Sequence, residues 1–212
     1  MSLTKANFRK ECLKKIRNAS QHNKIYKDAL LVDKLTKVMR GLHVNKILMY
    51  WPLSFEANIT KLLHVMRKGT QVYLPFMEGE SFKMVAYRLP MEKKSFGIFE
   101  PKQSLKKNKN IDIAIVPAIG VDGRARRIGF GKGMYDRFFE NLPSQPKIIF
   151  VQSEVCKTDK NICDDYDISA DLLVTPSRVY GLRRSYNVKR NALRRHRCRS
   201  ERNGRIYNIK TH

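Results

Sequence analysis

The stretch Ile111–Phe139, IDIAIVPAIGVDGRARRIGFGKGMYDRFF, decides how this chain is read. Its opening apolar run, Ile111–Val116, has the length and composition of a buried strand. Met134, Phe138 and Leu142 recur every four residues after it, the period of one helix face. Between them lies a basic loop broken by Gly129, Gly131 and Gly133. Strand, glycine loop and helix, in that order, is how a chain offers backbone N–H groups to a phosphate. The glycines let an anion approach closely, and Lys132 and Arg127 add mobile and forked positive charge. A tight loop packing a helix onto a sheet uses glycines in the same way, so the loop alone leaves both readings open.

The loop differs from the common nucleotide-binding sequences. A P-loop follows its Lys with Ser or Thr, whose hydroxyl helps to hold magnesium, whereas Gly133 follows Lys132 here. The nearest substitute oxygen is that of Asp136, four residues on, about one helical turn away. A dinucleotide loop fits less well, because no acidic residue ends a clear second strand about 20 residues later.

Working outward, Thr4–Ile16 and Tyr26–Met39 carry helical periodicity, with Thr4 as an N-cap, and Ala57–Met66 predicts a further helix. Lys46–Tyr50, Thr70–Pro75 (closed by its proline), Phe82–Tyr87, Lys147–Val151 and Asp171–Val174 predict strands, and Ser95–Pro101 reads as a turn. Strands separated by helices predict an α/β fold, a mostly parallel sheet layered between helices in a single domain. Ligands of such sheets sit beyond the carboxyl ends of the strands, where the glycine loop falls.

The 212 residues suffice for one substantial core and carry a net charge of +24. No run approaches the roughly 20 apolar residues of a membrane span, and the N-terminus lacks a secretory signal pattern, so no membrane partner and a cytoplasmic location are expected. Cys12, Cys156, Cys163 and Cys198 form no CxxC pair and are expected to be free thiols. Residues 182–212 hold eleven Lys or Arg against Glu201 alone, a stretch too charged to bury much and expected to be a flexible basic tail. Such a tail could bind nucleic acid, which keeps open the alternative of a basic nucleic-acid-binding protein with a merely structural glycine loop. Asp159–Asp167 superficially matches a calcium loop, but Cys163 and Asp164 stand where an oxygen ligand and a glycine are needed.

Taken in order, these motifs resemble the 5-formyltetrahydrofolate cyclo-ligase family (5,10-methenyltetrahydrofolate synthetases). The resemblance rests on Lys5-Ala-Asn-Phe-Arg9, Met49–Glu56 (MYWPLSFE), Phe96–Pro101, the long loop from Val116 to Arg137 with its YDR ending, and Asp167–Thr175. It implies ATP-dependent closure of 5-formyltetrahydrofolate, with magnesium, in a domain covering residues 1–181. It also implies roles. Lys5, Arg9 and Arg127–Tyr135 (Arg127, Ile128, Gly129, Phe130, Gly131, Lys132, Gly133, Met134, Tyr135) would bind the nucleotide, with Lys132 and Arg127 catalytic. Trp51, Glu56 and Phe130–Met134 would contact the folate, and Asp136 and Asp171 would hold magnesium. A monomer is expected, acting on a folate that can be polyglutamylated. The chain departs from the family pattern at Tyr166, where His is usual, and at Val121, where Phe is usual; neither removes a charge from the site.

Overall fold

The apolar runs become the centre of a seven-stranded sheet. A computed structural model describes residues 3–88, 91–93, 99–101 and 110–182. In chain order the elements are α1 (Lys5–Ser20), α2 (Lys24–Arg40), β1 (Lys46–Leu48), α3 (Thr60–Met66), β2 (Gln71–Glu78), β3 (Ser81–Ala86), β4 (Met91–Lys93), β5 (Phe99–Pro101), β6 (Ile113–Pro117), β7 (Gly120–Val121), β8 (Arg127–Ile128), α4 (Met134–Glu140), β9 (Lys147–Val151), β10 (Leu172–Val174) and β11 (Val179–Gly181). The main sheet runs β11-β10-β9-β6-β1-β2-β3. Its five inner strands are parallel, and β3 and β11 close the two edges antiparallel. The expected α/β architecture is what the chain adopts.

Successive strand residues point to opposite faces, so each strand feeds two cores. Ile47, Val72, Ile113 and Ile149 meet Leu35 and Leu63 of α2 and α3 on one face. Leu48, Tyr73, Ala114 and Phe150 meet Phe138 and Phe139 of α4 on the other. Each of the Val, Leu, Ile and Phe side chains among them, fully buried, contributes roughly 1.5–3 kcal/mol. Both faces are covered, which is why β6 and β9 read as continuous apolar runs.

Two local expectations change. Pro75 does not end β2; the strand continues to Glu78, with Pro75 opposite Met84 of β3. Strand β1 pairs with β2 only as far as Tyr73, so no ladder partner needs the N–H that proline lacks. Helix α4 stops at Glu140, and Leu142 packs on the same core from beyond the helix end.

The long loop after β6 contains a hairpin, β7–β8, and α1 docks on it through Phe8, Cys12 and Ile16 against Ile119 and Ile128. Here the cysteine expectation is corrected: Cys12 and Cys156 form a disulfide, with Cα atoms 5.7 Å apart. The pairing joins residues 144 apart in sequence, a distance that local spacing cannot reveal. Cys163 keeps its thiol. Cys198, the basic tail from residue 183 onward and residues 95–98 lie outside the described residues; the rest of the segment expected to turn, Phe99–Pro101, is strand β5, paired with β4. Among the described residues no helix is long and apolar enough to cross a membrane.

Candidate active site

The hairpin is organised by a buried carboxylate. Asp122 Oδ1 accepts the N–H groups of Arg124 and Arg126 at 2.9 and 2.8 Å, and Oδ2 accepts that of Cys163 at 3.1 Å. This side-chain acceptor shapes the turn that returns the chain as β8. Arg127 then enters buried, its Nε donating to the Pro117 carbonyl at 2.8 Å and its guanidinium lying 4.6 Å from the Tyr135 ring centroid. Gly129 is glycine because a Cβ there would overlap that guanidinium. Gly131 and Gly133 adopt φ of +93° and +61°, conformations costly for other residues. Arg9 of α1 ties the loop down, its Nε donating to the Gly129 carbonyl at 2.8 Å. Arg137 ties the other end, donating to the Lys132 carbonyl and, through Nε at 2.8 Å, to that of Glu80 in the β2–β3 turn.

Lys132 is exposed on the loop. It precedes α4, with left-handed Gly133 between them, so it and Asp136 do not share the helical turn that their spacing implied. Ile128 is fully buried against α1, and the side chains of Met134 and Tyr135 pack toward the α4 core. These three residues therefore offer the loop mainly backbone. Phe130 differs: it is 43% exposed and meets Phe55 edge to face at 5.7 Å.

Phe130 and Phe55 line a cleft at the carboxyl ends of β1, β6 and β9, with Tyr50, Glu56, Gln152 and Ser153. Glu56 is held in place on both sides. Its Oε2 accepts the Leu53 N–H at 2.9 Å, and its carbonyl accepts from Lys24 Nζ at 2.7 Å. Burial pushes its carboxyl up to about 7, against the Leu53 N–H and the charges of Arg127 and Lys24, which pull it down. Burial likewise raises the hydroxyl of Tyr135, opposed by Arg127. Trp51 packs against the core beside Tyr87, ring centroids 6.3 Å apart.

Lys5 does not stand free beside the loop. Its Nζ donates to Asp164 at 2.9 Å and to Asp167. Burial acts to lower its pKa, but the hydrogen bonds and charges of Asp167 and Asp164 outweigh that and raise it. The exposed Tyr166 joins the cluster, its hydroxyl donating to Asp164 at 2.9 Å and its ring lying 5.5 Å from Lys5 Nζ.

The two expected magnesium ligands have different settings. Asp136 Oδ1 accepts the Ile168 N–H at 3.0 Å, and the acid whose charge it acts on is Asp167. Asp171 stands at the amino end of β10, its Oδ2 accepting the Ile148 N–H at 2.7 Å at the amino end of β9. Asp171 therefore braces the sheet at the end where parallel strands do not place ligands. Among the described residues no group of three His, Cys, Asp or Glu could hold a metal ion. Among the described residues the acids form no dedicated metal cage, and of the two expected ligands Asp136 stands beside the loop, in the first turn of α4.

Sequence reasoning passed over Asp122, Gln152, Ser153, Asp164 and Arg137 as working residues. Gln152 and Ser153 carried a usable signal, since they directly follow the apolar run of β9 at its carboxyl end.

The fold and site define an α/β protein that sets a glycine-broken basic loop against an apolar cleft at the carboxyl edge of a parallel sheet. The particular family follows from comparison: the sequence profile of the 5-formyltetrahydrofolate cyclo-ligase family matches residues 1–176, and the chain belongs to that family. The 5-formyltetrahydrofolate cyclo-ligase of Mycoplasma pneumoniae is 25% identical over 173 residues, covering 81% of this chain and 98% of the relative. That of Haemophilus influenzae is 26% identical over 139 residues, 60% of this chain and 74% of the relative. The 5,10-methenyltetrahydrofolate synthetase of Aquifex aeolicus, solved by NMR, superposes with a TM-score of 0.73 at 25% identity, covering 91% of this chain and all of the other.

Proposed function

We propose that this chain uses ATP to close 5-formyltetrahydrofolate to 5,10-methenyltetrahydrofolate. A formamide oxygen is a poor leaving group, so it must be activated before it can depart. The formyl oxygen attacks the γ-phosphorus and ADP leaves, giving an imidate-like phosphate. N10 then attacks the formyl carbon, the C–O bond breaks, and phosphate leaves. The protein's task is to position the groups and to stabilise charge on the moving phosphoryl group. Lys132 and Arg9, with the backbone N–H groups around Gly131 and Gly133, would hold the phosphates, and Arg127 would sit at the junction with the folate. Magnesium arriving with the nucleotide would neutralise phosphate charge, with Asp136 giving a carboxylate oxygen. Residues 1–181 would be the catalytic domain, with the remainder appended to it.

The observation that carries this reading is that Phe130, inside the glycine loop, also lines the cleft that holds Glu56. A phosphate on the loop and a pterin in the cleft would thereby be neighbours. The experiment mixes the purified chain with 5-formyltetrahydrofolate and MgATP and follows methenyl absorbance. ATP-dependent product, lost by at least about 100-fold in Lys132→Ala, is expected. Unchanged turnover in that variant would refute the loop assignment, and absence of product from the wild type would refute the reaction.

A further inference from the structure

Closing the ring requires more than activating the formyl oxygen. N10 carries a hydrogen before the reaction and none after it, so a base must take that proton. Around the cleft the side chains are mostly apolar or already engaged. Gln152 is spent on backbone groups, its Nε2 donating to the Ile119 and Cys156 carbonyls and its Oε1 accepting from Cys156 N–H. Tyr50 donates its hydroxyl to the Ala57 carbonyl at 2.8 Å. Glu56 is the carboxylate in the lining. Its Oε2 takes the Leu53 N–H, while Oε1 has no hydrogen-bond partner among the described residues.

We infer that Glu56 is the proton acceptor for N10, working from the wall of the cleft. The inference rests on the proposed reaction and adds a catalytic residue to it. As the N10 lone pair forms the bond to the formyl carbon, the N10–H bond breaks and its proton passes to Glu56 Oε1. The C–O electron pair leaves with phosphate, and the product cation delocalises over N5, carbon and N10. The charged and titratable groups facing Glu56 are Arg127 of β8, Lys24 of α2 (itself paired with Asp28), Tyr135 of α4, and Tyr50 after β1. Neither tyrosine ionises near neutrality, because burial raises both. Burial pushes the Glu56 carboxyl up to about 7, so it changes charge across neutral pH.

The test compares wild type, Glu56→Gln and Glu56→Asp in the full chain. Phosphate release with saturating MgATP is measured from pH 5.5 to 8.5, and 5-formyltetrahydrofolate binding without nucleotide is measured by titration calorimetry. Wild-type kcat is expected to fall about tenfold per pH unit below pH 7 and to level off above it. Glu56→Gln is expected to lose about 10²–10³ in kcat and the acid limb with it, a loss well beyond any change in folate affinity. Glu56→Asp should recover part of the rate. If Glu56→Gln keeps its rate, keeps the acid limb, or loses folate affinity alone, Glu56 merely binds the pterin and the inference is overturned. A wild type that binds folate and never turns over would overturn the proposed reaction itself, a different outcome from an active Gln variant.

Discussion

Breaking the Cys12–Cys156 bond tests the most surprising long-range contact in the fold. The bond closes a loop of 144 residues, most of the folded domain. In the chain-entropy model, a loop of that length restricts the unfolded chain by about 5 kcal/mol, and measured values commonly fall to about 2–4 kcal/mol. Both cysteines are buried, so the reduced thiols would still fill their space and little packing is lost on reduction. For a domain of this size each kcal/mol moves Tm by about 2–4 °C, so reduction should lower Tm by about 4–16 °C. The assay is thermal unfolding with and without dithiothreitol for wild type, Cys12→Ala, Cys156→Ala and the double variant, with Cys163→Ser as control. Each single Ala variant should melt low and lose its sensitivity to reductant, and the double variant should add little beyond small cavity terms. Cys163→Ser should stay as reductant-sensitive as wild type. An unchanged wild-type Tm in dithiothreitol, with both thiols titrating in its absence, would refute the bond. Because α1 carries Arg9, which holds the Gly129 carbonyl, reduction should also weaken ATP binding more than folate binding.

Two further perturbations probe how the loop is built. Gly123→Ala would press a methyl group on the Asp159 carbonyl and the Asn161 side chain, against backbone already tied by Gly123 N–H to the Lys160 carbonyl. A loss of about 1–3 kcal/mol in urea unfolding is expected, and an unshifted midpoint would contradict the packing. Lys5→Met strands the buried carboxylate of Asp167, whose side chain is 5% exposed against 20% for Lys5. A loss of about 2 kcal/mol is expected, largely restored by adding Asp167→Asn, as a double-mutant cycle in denaturant would read. Because the pKa of Lys5 is raised on folding, its contribution is whole below the unfolded lysine pKa and declines only as pH rises through the folded value. The Lys5 ionisation should therefore leave stability unchanged between about pH 6 and 9.

Much of the site was legible because it is local. Gly129, Gly131 and Gly133, Lys132 and Arg127 lie within one loop, and chain order alone puts that loop past the carboxyl end of a strand. Glu56 was reached through the resemblance rather than through its own spacing. The shared cleft of Phe130 and Glu56 needed the fold, since β6 and β1 become neighbours only through a non-sequential crossover. The setting of Asp171 needed the fold for a related reason. A carboxylate before a strand looks the same in sequence whether it faces a ligand or caps a neighbouring strand's N–H, and here it caps Ile148.

By itself the sequence determined the central strands and the main helices, the parallel α/β class, the glycine loop and the family. These depend on residues close together along the chain, where periodicity and backbone preference act directly. Only the tertiary structure decided which distant groups meet: Cys12 with Cys156, Lys5 with Asp164 and Asp167, Arg127 with Tyr135, and Glu56 with the rim of the loop. Those partnerships follow from packing both faces of one sheet and docking α1 across the hairpin, and no local preference encodes them.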